Sequence, residues 1–558
     1  MKPQIYTEKH RYGNRFRVSG FRFQVLNLES RIPKKSVFIC VNLWLIIFAF
    51  AFQSQAQTYN NPVIPGDFPD PSVIRVGEDF YATATTGGWS PHFQILHSRD
   101  LVNWKVVGSV LNETPSWAKG DFWAPEITED KGRYFVYYTA RRDDGKGKKG
   151  TLCVAVAVAD KPAGPYTDKG ALVCQEMGSL DADFVRDENG KPFLIWKEDG
   201  NDRQRPTWLY AQGLDESGTK LNGKPTKLFR NEGSGWENHV IEGAYILRRD
   251  GWFYLFYSGN ACCGRSCNYA LGVARSKTLL GKWEKNPANP ILAENETWQC
   301  PGHGSIVSTA DGRDFLLYHA YLKGSKGFNI GREALLDEVK FENGWATINN
   351  GKGASKTANA PFKDTKQQSI FAGLSDEFDN NLLAPLWSQS LFYNRTAQLK
   401  DGFLTLAPTE KQFAVEKTPE IVLAERTVST DYTATTRIDY AALKTDEFAG
   451  MSAYSWRGNA VGVSLGNGKI FTWRRENNKQ TEVGSVELPK NKTAVNLQIQ
   501  AKDGEIFSFA YSIDDKNWQT IGDKINFGSL EGARLALIYN GKTPNAGARF
   551  DWFRVKEN

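Results

Sequence analysis

The sequence has no concentration of charge of one sign. Its 558 residues include 69 lysines and arginines against 63 aspartates and glutamates, a formal net charge of +6, and the two signs are interspersed along the chain. A protein that binds nucleic acid instead gathers positive charge into a stripe or patch. The composition therefore argues against nucleic acid as a partner.

Long apolar runs are scarce as well, and the one that stands out lies near the start. Lys34 and Lys35 precede an apolar run that ends at Phe52, and small residues follow near Ala56. A positive flank, an apolar stretch and small residues predict a signal peptide, here with an extended basic first part, over residues 1–56. We expect the mature protein to be exported, periplasmic or extracellular, without stable membrane association; an N-terminal membrane anchor is the alternative.

Cysteine is sparse, with seven in the chain and six after the predicted signal peptide. An exported protein can join such residues in disulfides, although their pairing cannot be read from the sequence. Three of the six cluster, but no second ligand pair follows at zinc-finger spacing, which favours disulfides over zinc. The six are Cys153, Cys174, Cys262, Cys263, Cys267 and Cys300.

A repeat occupies the first two thirds of the chain. In each of five segments a polar start leads into an apolar strand, a turn containing Gly or Asp-Gly, and an aromatic-rich strand. Several short strands in each unit, repeated five times, predict a five-bladed β-propeller over residues 57–356. The segments begin at Asp67, Trp123, Ser179, Ile241 and Pro301.

Each repeat places a polar residue near its start, and we expect these five residues to occupy the same place in their blades. The first strand of every propeller blade lines the central axis. Acids that are distant in the sequence therefore converge on one small region. The five residues are Asp70, Glu126, Asp181, Glu242 and His303.

The remainder of the chain has a different pattern. Residues 357–373 are rich in Lys, Ala and Gln, which predicts a linker or the final wrap of the propeller. Residues 374–558 read as alternating strands with no long helical pattern, and a two-sheet β-sandwich is the expected fold. The predicted class is thus all-β, a five-bladed propeller followed by a C-terminal sandwich. A chain of this length is expected to form two or more domains.

Taken together, the motifs of the repeat resemble those of glycoside hydrolase family 43, whose members are five-bladed propellers acting mainly on xylan and arabinan. The tail resembles the concanavalin-like sandwich, a jelly roll, that is appended to many β-xylosidases of that family. The motifs are Phe68–Ser72, Trp123–Glu126, Leu180–Ala182, Glu242–Ala244, Gly302–Ser305 and Gly331–Arg332.

The resemblance implies three catalytic roles. Asp70 would be the general base, Glu242 the general acid, and Asp181 the residue that holds and tunes the acid. Hydrolysis with inversion requires one carboxylate to deprotonate water and one carboxylic acid to protonate the leaving oxygen. A neighbouring carboxylate would raise the pKa of Glu242 and keep its proton in place. Asp183 is a rival for the tuning role, and Asp67 is a weaker rival to Asp70.

The resemblance also suggests residues that contact the sugar. Arg332 matches an arginine directed at sugar hydroxyls, with a surface salt bridge as the alternative. Trp123 is expected to form a stacking wall of the pocket, and Trp89 to border its entrance. His303 is expected beneath the active site, either structural or linked through water to calcium. No cofactor is required, and calcium is possible although no Asp-rich loop supplies ligands. Glu126 is expected to support the site without taking part in the chemistry.

The predicted function is exo-acting hydrolysis of plant hemicellulose. A β-xylosidase that removes xylose from xylooligosaccharides is preferred over an α-L-arabinofuranosidase acting on arabinoxylan or arabinan. An endo-arabinanase and a non-catalytic glycan-binding protein remain as alternatives. In every case the expected partner is an oligosaccharide or polysaccharide.

Overall fold

A computed structural model describes residues 57–145, 149–391, 397–408, 420–455, 457–542 and 547–558. The predicted signal peptide, residues 1–56, lies outside this described part. No helix within the described ranges is long and apolar enough to cross a membrane.

Five four-stranded antiparallel sheets follow one another in the described part of the chain between β1 (Thr58–Asn60) and residue 348. They form the five-bladed propeller that the repeat predicts. Blade 1 consists of β2 (Ser72–Val76), β3 (Asp79–Thr83), β5 (His92–Ser98) and β6 (Lys105–Leu111), and the short β4 (Trp89–Ser90) leaves it between β3 and β5. Blade 2 consists of β7 (Ala118–Asp130), β8 (Arg133–Asp143), β9 (Lys149–Ala159) and β10 (Thr167–Val173).

Blades 3 to 5 repeat this order. Blade 3 consists of β11 (Ser179–Arg186), β12 (Pro192–Glu198), β13 (Trp208–Leu214) and β14 (Leu221–Arg230), with a 3₁₀ turn at Asn201–Arg203. Blade 4 consists of β15 (Ile241–Arg249), β16 (Trp252–Gly259), β17 (Ala270–Ser276) and β18 (Glu284–Lys285). Blade 5 consists of β19 (Trp298–Ser308), β20 (Asp314–Leu322), β21 (Glu333–Glu342) and β22 (Trp345–Ile348), with helix α1 (Ser325–Ile330) between β20 and β21.

The burial of each strand explains its composition. The second strand of blade 2, β8, is buried over seven successive residues because its two faces pack against neighbouring blades, whereas the outer strand β10 alternates between exposed and partly buried positions. Tight turns join the first two strands of each blade. Gly132 and Gly251 adopt φ values of 78° and 73° in two of these turns, a conformation that glycine reaches without steric cost.

Ring closure uses a separate pair of strands. After a 3₁₀ turn at Asn349–Gly351, β23 (Thr357–Asn359) pairs antiparallel with β1. Residues 357–359 fall inside the predicted linker, and they instead form the final wrap of the propeller, the other interpretation of that stretch.

The C-terminal region is a sandwich of two antiparallel sheets. One sheet contains β24 (Ser388–Ser390), β27 (Glu420–Arg426), β29 (Phe448–Tyr454), β30 (Ala460–Gly466), β31 (Lys469–Glu476), β32 (Lys479–Glu487) and β37 (Arg534–Asn540). The other contains β25 (Ala397–Lys400), β26 (Phe403–Leu406), β28 (Tyr432–Asp439), β33 (Ala494–Lys502), β34 (Ile506–Ser512), β35 (Gln519–Thr520), β36 (Ile525–Asn526) and β38 (Ala548–Glu557). Their facing sides bury one large apolar core.

The propeller contributes a strand to the sandwich. Strand β4 of the propeller pairs with β24 at the edge of the first sandwich sheet, through Ser90 and Gln389. Trp89 is only 3% exposed and packs with Tyr454 and Trp473 of the sandwich. The prediction that Trp89 borders the pocket entrance is therefore wrong, because this ring fills the core between the two domains.

The six cysteines form three disulfides, as the sequence favoured. The pairs are Cys153–Cys174, Cys262–Cys263 and Cys267–Cys300. The last one ties the loop after β16 to the first strand of blade 5.

Candidate active site

A bulge interrupts the first strand of blades 2 to 5 and turns one residue of each to positive φ. Asp70 has the same conformation just before β2. The equivalent residues of the five blades are Asp70, Ala124, Asp181, Gly243 and His303, with φ values of 53°, 42°, 56°, 61° and 41°.

This alignment corrects the predicted equivalence of the five polar residues. Glu242 precedes the bulge of blade 4, and Glu126 follows the bulge of blade 2. Only Asp70, Asp181 and His303 share one place in their blades.

The second strands hold these bulges through a ring of hydrogen bonds between blades. In four blades the backbone N–H of the bulge residue donates to a side chain at the same level of the second strand in the preceding blade. Gly243 of blade 4 is the exception and donates to Asp181 Oδ2. Ala124 donates to Thr85 Oγ1 at 2.7 Å, and His303 donates to Ser258 Oγ at 2.9 Å. In the same way the N–H of Asp181 donates to Thr139 Oγ1 at 3.3 Å, and the N–H of Asp70 donates to His319 Nδ1 at 3.1 Å.

Asp70 lies buried among donors and cations. Its Oδ2 accepts a hydrogen bond from Thr85 Oγ1 at 2.7 Å, and its Oδ1 lies 3.0 Å from Arg332 Nη1. The Nδ1 atoms of His303 and His319 lie 3.4 and 3.3 Å from the same Oδ1. Burial opposes the charge of Asp70, but the guanidinium of Arg332 and then His303 outweigh it and hold the pKa of Asp70 well below its usual range. Asp70 is therefore a carboxylate, the state that a general base requires.

Glu242 is held by two donors. Lys197 Nζ lies 2.7 Å from Oε2, and the hydroxyl of Tyr269 donates to Oε1 at 3.0 Å. Burial again opposes ionisation, but the charge and hydrogen bond of Lys197 prevail and lower the pKa of Glu242.

Asp181 has the opposite tendency. Burial, followed by the negative charges of Glu242 and Asp70, raises its pKa to about 6, although His303 and Lys197 act against the rise. Its Oδ2 accepts a hydrogen bond from the N–H of Gly243 at 2.9 Å, which fixes the backbone beside Glu242. The sequence predicted that Asp181 would raise the pKa of Glu242. The structure gives the reverse order: direct contact with Lys197 lowers the pKa of Glu242, and burial raises that of Asp181.

The predicted sugar-contacting residues have different surroundings. Arg332 does not form a surface salt bridge, since its guanidinium is buried against Asp70. His303 lies directly under Gly243, where a Cβ would approach the imidazole Cγ to 2.8 Å. Trp123 is partly exposed on β7 beside Ala124, whose N–H enters the Thr85 hydrogen bond. This position is compatible with a pocket wall, which remains a prediction for Trp123.

Asp183, the rival for the tuning role, has different partners from Asp181 and lies beside Glu126. Asp183 accepts from the N–H of Ile246 at 2.8 Å and faces Glu126, whose Oε1 is hydrogen-bonded to Ser72. Burial raises the pKa of Asp183 to about 8 and that of Glu126 well above its usual range. Burial therefore favours the neutral acid form of both side chains. The hydrogen bond of Glu126 to Ser72 is compatible with the supporting role expected for this residue.

Asp67 also lies away from the catalytic carboxylates. Its Oδ1 accepts from the N–H of Arg332 at 3.1 Å, and a Cβ on Gly532 of the sandwich would come within 2.9 Å of its carboxyl carbon. Asp67 thus sits where the propeller and the sandwich meet.

Sequence reasoning missed Lys197, Tyr269, His319 and Thr85. The only signal among them is Lys197, a lone cation at the end of the apolar run Phe193–Trp196. The other three resemble ordinary strand residues, and only the packing of adjacent blades brings them to the carboxylates.

The surroundings of His303 do not fit a directly bound calcium ion. Calcium takes six to eight oxygen ligands, whereas both oxygens of the nearest carboxylate, Asp70, are engaged by Thr85 and Arg332. Within the described ranges, no group of three or more His, Cys, Asp or Glu side chains is arranged to hold a metal.

Three carboxyl groups meet on this propeller: Asp70 beside an arginine, Glu242 held by a lysine, and Asp181 hydrogen-bonded to the backbone next to Glu242. This arrangement is that of a glycosidase. The chain belongs to glycosyl hydrolases family 43, whose sequence model matches residues 59–346. A second model, the β-xylosidase C-terminal concanavalin A-like domain, matches residues 375–556.

Individual relatives cover nearly the whole chain. A xylosidase/arabinosidase 43B of Humicola insolens is 27% identical over 88% of this chain and 96% of its own length. A non-reducing end α-L-arabinofuranosidase of Bacteroides ovatus is 26% identical over 92% and 97%. Among solved structures, the BlXynB protein of family 43 from Bacillus licheniformis aligns with a TM-score of 0.77 and 26% identity over 90% of this chain and 100% of that one.

Proposed function

We propose that this glycosidase removes single pentose units from the nonreducing ends of xylooligosaccharides with inversion of configuration. The observation that carries the proposal is the contrast between Asp70 and the pair formed by Asp181 and Glu242. Asp70 lies beside Arg332, which keeps it a carboxylate, whereas Glu242 is held by Lys197 next to Asp181, whose pKa burial raises to about 6. Inversion requires such a pair, one base and one acid.

In this mechanism Asp70 Oδ1 or Oδ2 takes a proton from the attacking water. Glu242 gives a proton to the oxygen of the departing sugar. The proton belongs to the coupled Asp181–Glu242 pair, so the reactive form is the one in which Glu242 carries it. The hydrogen bond from the N–H of Gly243 to Asp181 holds the Asp181 carboxyl group next to Glu242 while the proton moves between them.

Xylose is preferred because the appended domain matches a β-xylosidase model and several relatives are named β-xylosidases, including one from Bacillus subtilis. The second candidate sugar is arabinofuranose, which the name of the Bacteroides ovatus relative supports. We also propose that the protein is exported and that hydrolysis requires no metal ion.

The test compares hydrolysis of 4-nitrophenyl β-xylopyranoside and α-L-arabinofuranoside by the wild type, with and without a chelator. The preferred substrate names the sugar, and proton NMR of the first-formed anomer reports inversion. Glu242→Gln should lower kcat by at least 10²-fold on an unactivated xylooligosaccharide. Glu296→Gln, an exposed change between blades 4 and 5, is the matched control.

Three outcomes would contradict parts of the proposal. Cleavage of neither glycoside removes the exo-pentosidase assignment. Unchanged turnover by Glu242→Gln removes the acid assignment. Loss of activity with chelator removes the claim that no metal is needed.

A further inference from the structure

The ring of hydrogen bonds around the axis has one irregular member. At the same level of the second strand, the five blades carry Thr85, Thr139, Lys197, Ser258 and His319. Four of these accept the N–H of the bulge residue in the next blade. A lysine ammonium has three donors and no acceptor, so Lys197 cannot play that part for Gly243.

The chain supplies the missing acceptor from another residue. The N–H of Gly243 donates to Asp181 Oδ2 instead. Lys197 is thereby released from the ring, and its ammonium reaches one residue further back, to Glu242 Oε2 at 2.7 Å.

Burying the Lys197 ammonium at this position carries a free-energy penalty of desolvation. Its side chain is 1% exposed, and a buried ammonium is tolerated only with charged partners. Glu242 and Asp199, at 2.7 and 3.4 Å, provide them. A threonine or serine would satisfy the repeat without this cost, as it does in three other blades. The presence of lysine where three other blades have threonine or serine is therefore explained by its contact with Glu242.

We propose that Lys197 is the positioning residue of the general acid. It fixes Oε2 of Glu242, leaves Oε1 to carry the proton to the glycosidic oxygen, and stabilises the carboxylate that forms when this proton leaves. The inference rests on the proposed function, because it assigns a partner to the acid of that reaction.

The pH dependence follows from all the groups that face Glu242. Lys197 on β12 and His303 on β19 favour its carboxylate, the Tyr269 hydroxyl donates to it, and Asp181 on β11 repels its charge. An acid catalyst loses activity as the pH rises through its pKa. Because Lys197 lowers the pKa of Glu242, removing the ammonium should move the alkaline limb of the pH profile upward.

The decisive variant is Lys197→Thr, which returns blade 3 to the residue type of the repeat. We expect the alkaline limb of kcat/KM to rise by on the order of one pH unit or more. We also expect kcat near pH 5 to fall about tenfold more on xylobiose than on 2,4-dinitrophenyl β-xyloside, whose leaving group needs little protonation. Lys197→Arg should keep the wild-type limb, and Lys191→Thr, an exposed change beside the same strand, is the control.

An unmoved limb in a folded, active Lys197→Thr variant would overturn the inference. If that variant does not fold, the wild type still gives an answer. Carboxyl-¹³C NMR of labelled glutamate, with Glu242→Gln for assignment, should show Glu242 titrating below 4.5, the usual value, and a higher value would overturn the inference. A wild type that hydrolyses no glycoside would instead refute the proposed function.

Discussion

Asp181 and Asp183 lie two residues apart on β11 and have different partners. Asp181 faces Glu242 and Lys197, whereas Asp183 accepts from the N–H of Ile246 and faces Glu126. The bulge between Leu180 and Asp183 separates their surroundings. We therefore expect substitution of Asp181 to affect catalysis and substitution of Asp183 to affect stability.

We expect Asp183→Asn to stabilise the protein at high pH and to leave kcat within a few-fold of wild type. Asparagine keeps an acceptor for Ile246 and cannot ionise. In the wild type the folded state holds the Asp183 proton up to about pH 8, whereas the unfolded state releases it above 3.8. The free energy of unfolding therefore falls as the pH rises across this window. The Tm advantage of the variant should be absent near pH 4 and grow towards pH 8.

The matched variant is Asp181→Asn on the same strand, which should lose most turnover. Thermal unfolding at several pH values and kcat on the preferred nitrophenyl glycoside provide both readouts. If Asp183→Asn lost activity as Asp181→Asn does, Asp183 would be the tuning residue instead.

The sequence predicted which carboxyl residues form the site, but it did not predict the order of their pKa values. The motifs located Asp70, Asp181 and Glu242, because the repeat marks the start of each blade. The order of pKa values was not predictable, since it depends on Lys197, a residue 45 positions from Glu242. Contacts between adjacent blades have no local sequence pattern.

Helix α1 connects the sandwich to the active site. Asn329 on this helix is 2% exposed, and its side chain donates to the carbonyls of Gly504 and Phe527 and accepts the N–H of Leu530. Arg332, which contacts Asp70, follows three residues later. The element therefore links the sandwich backbone to the arginine beside the general base.

We expect Asn329→Ala to destabilise the full-length protein by about 2–4 kcal/mol, because it leaves buried carbonyl and N–H groups without partners. Displacement of Arg332 should lower kcat/KM as well. Chemical denaturation and steady-state kinetics check the two effects. Asn112→Ala, which removes an exposed hydrogen bond to Ser109, is the control; equal effects of the two variants would contradict the link.

The strand pattern predicted the blades and the sandwich, since periodicity and turn residues are local signals. It did not predict that β4 leaves blade 1, because Trp89 and Ser90 look like part of a loop. Their partners on β24 lie about 300 residues away in the sequence, and only the tertiary fold brings the two strands together.

The propeller and the sandwich are joined by a common buried core and by hydrogen bonds, and not only by the chain segment that connects them. The Trp89 ring, the β4–β24 pairing and the Asn329 hydrogen bonds all cross between them. A chain ending at residue 373 would expose Trp89 and leave the partners of Asn329 missing.

We therefore expect this truncated chain to be poorly soluble, or soluble with kcat at least tenfold below that of the full-length protein on a small nitrophenyl glycoside. The loss follows from the exposed apolar surface and the unsupported Arg332. Size-exclusion chromatography and kinetics would measure it. A monomeric truncated propeller with full activity on this small substrate would show that the sandwich acts as an independent carbohydrate-binding module.

The pairing of β1 with β23 limits when the propeller ring can close during synthesis of the chain. Each blade is one continuous segment, so it can form its own sheet as soon as its residues are made. Strand β1, however, waits for a partner made about 300 residues later, a delay of about 15–60 s at typical rates of chain growth. Strand β1, the first strand of the described propeller, is thus the last of the propeller strands to be paired, and the ring stays open until β23 has been made.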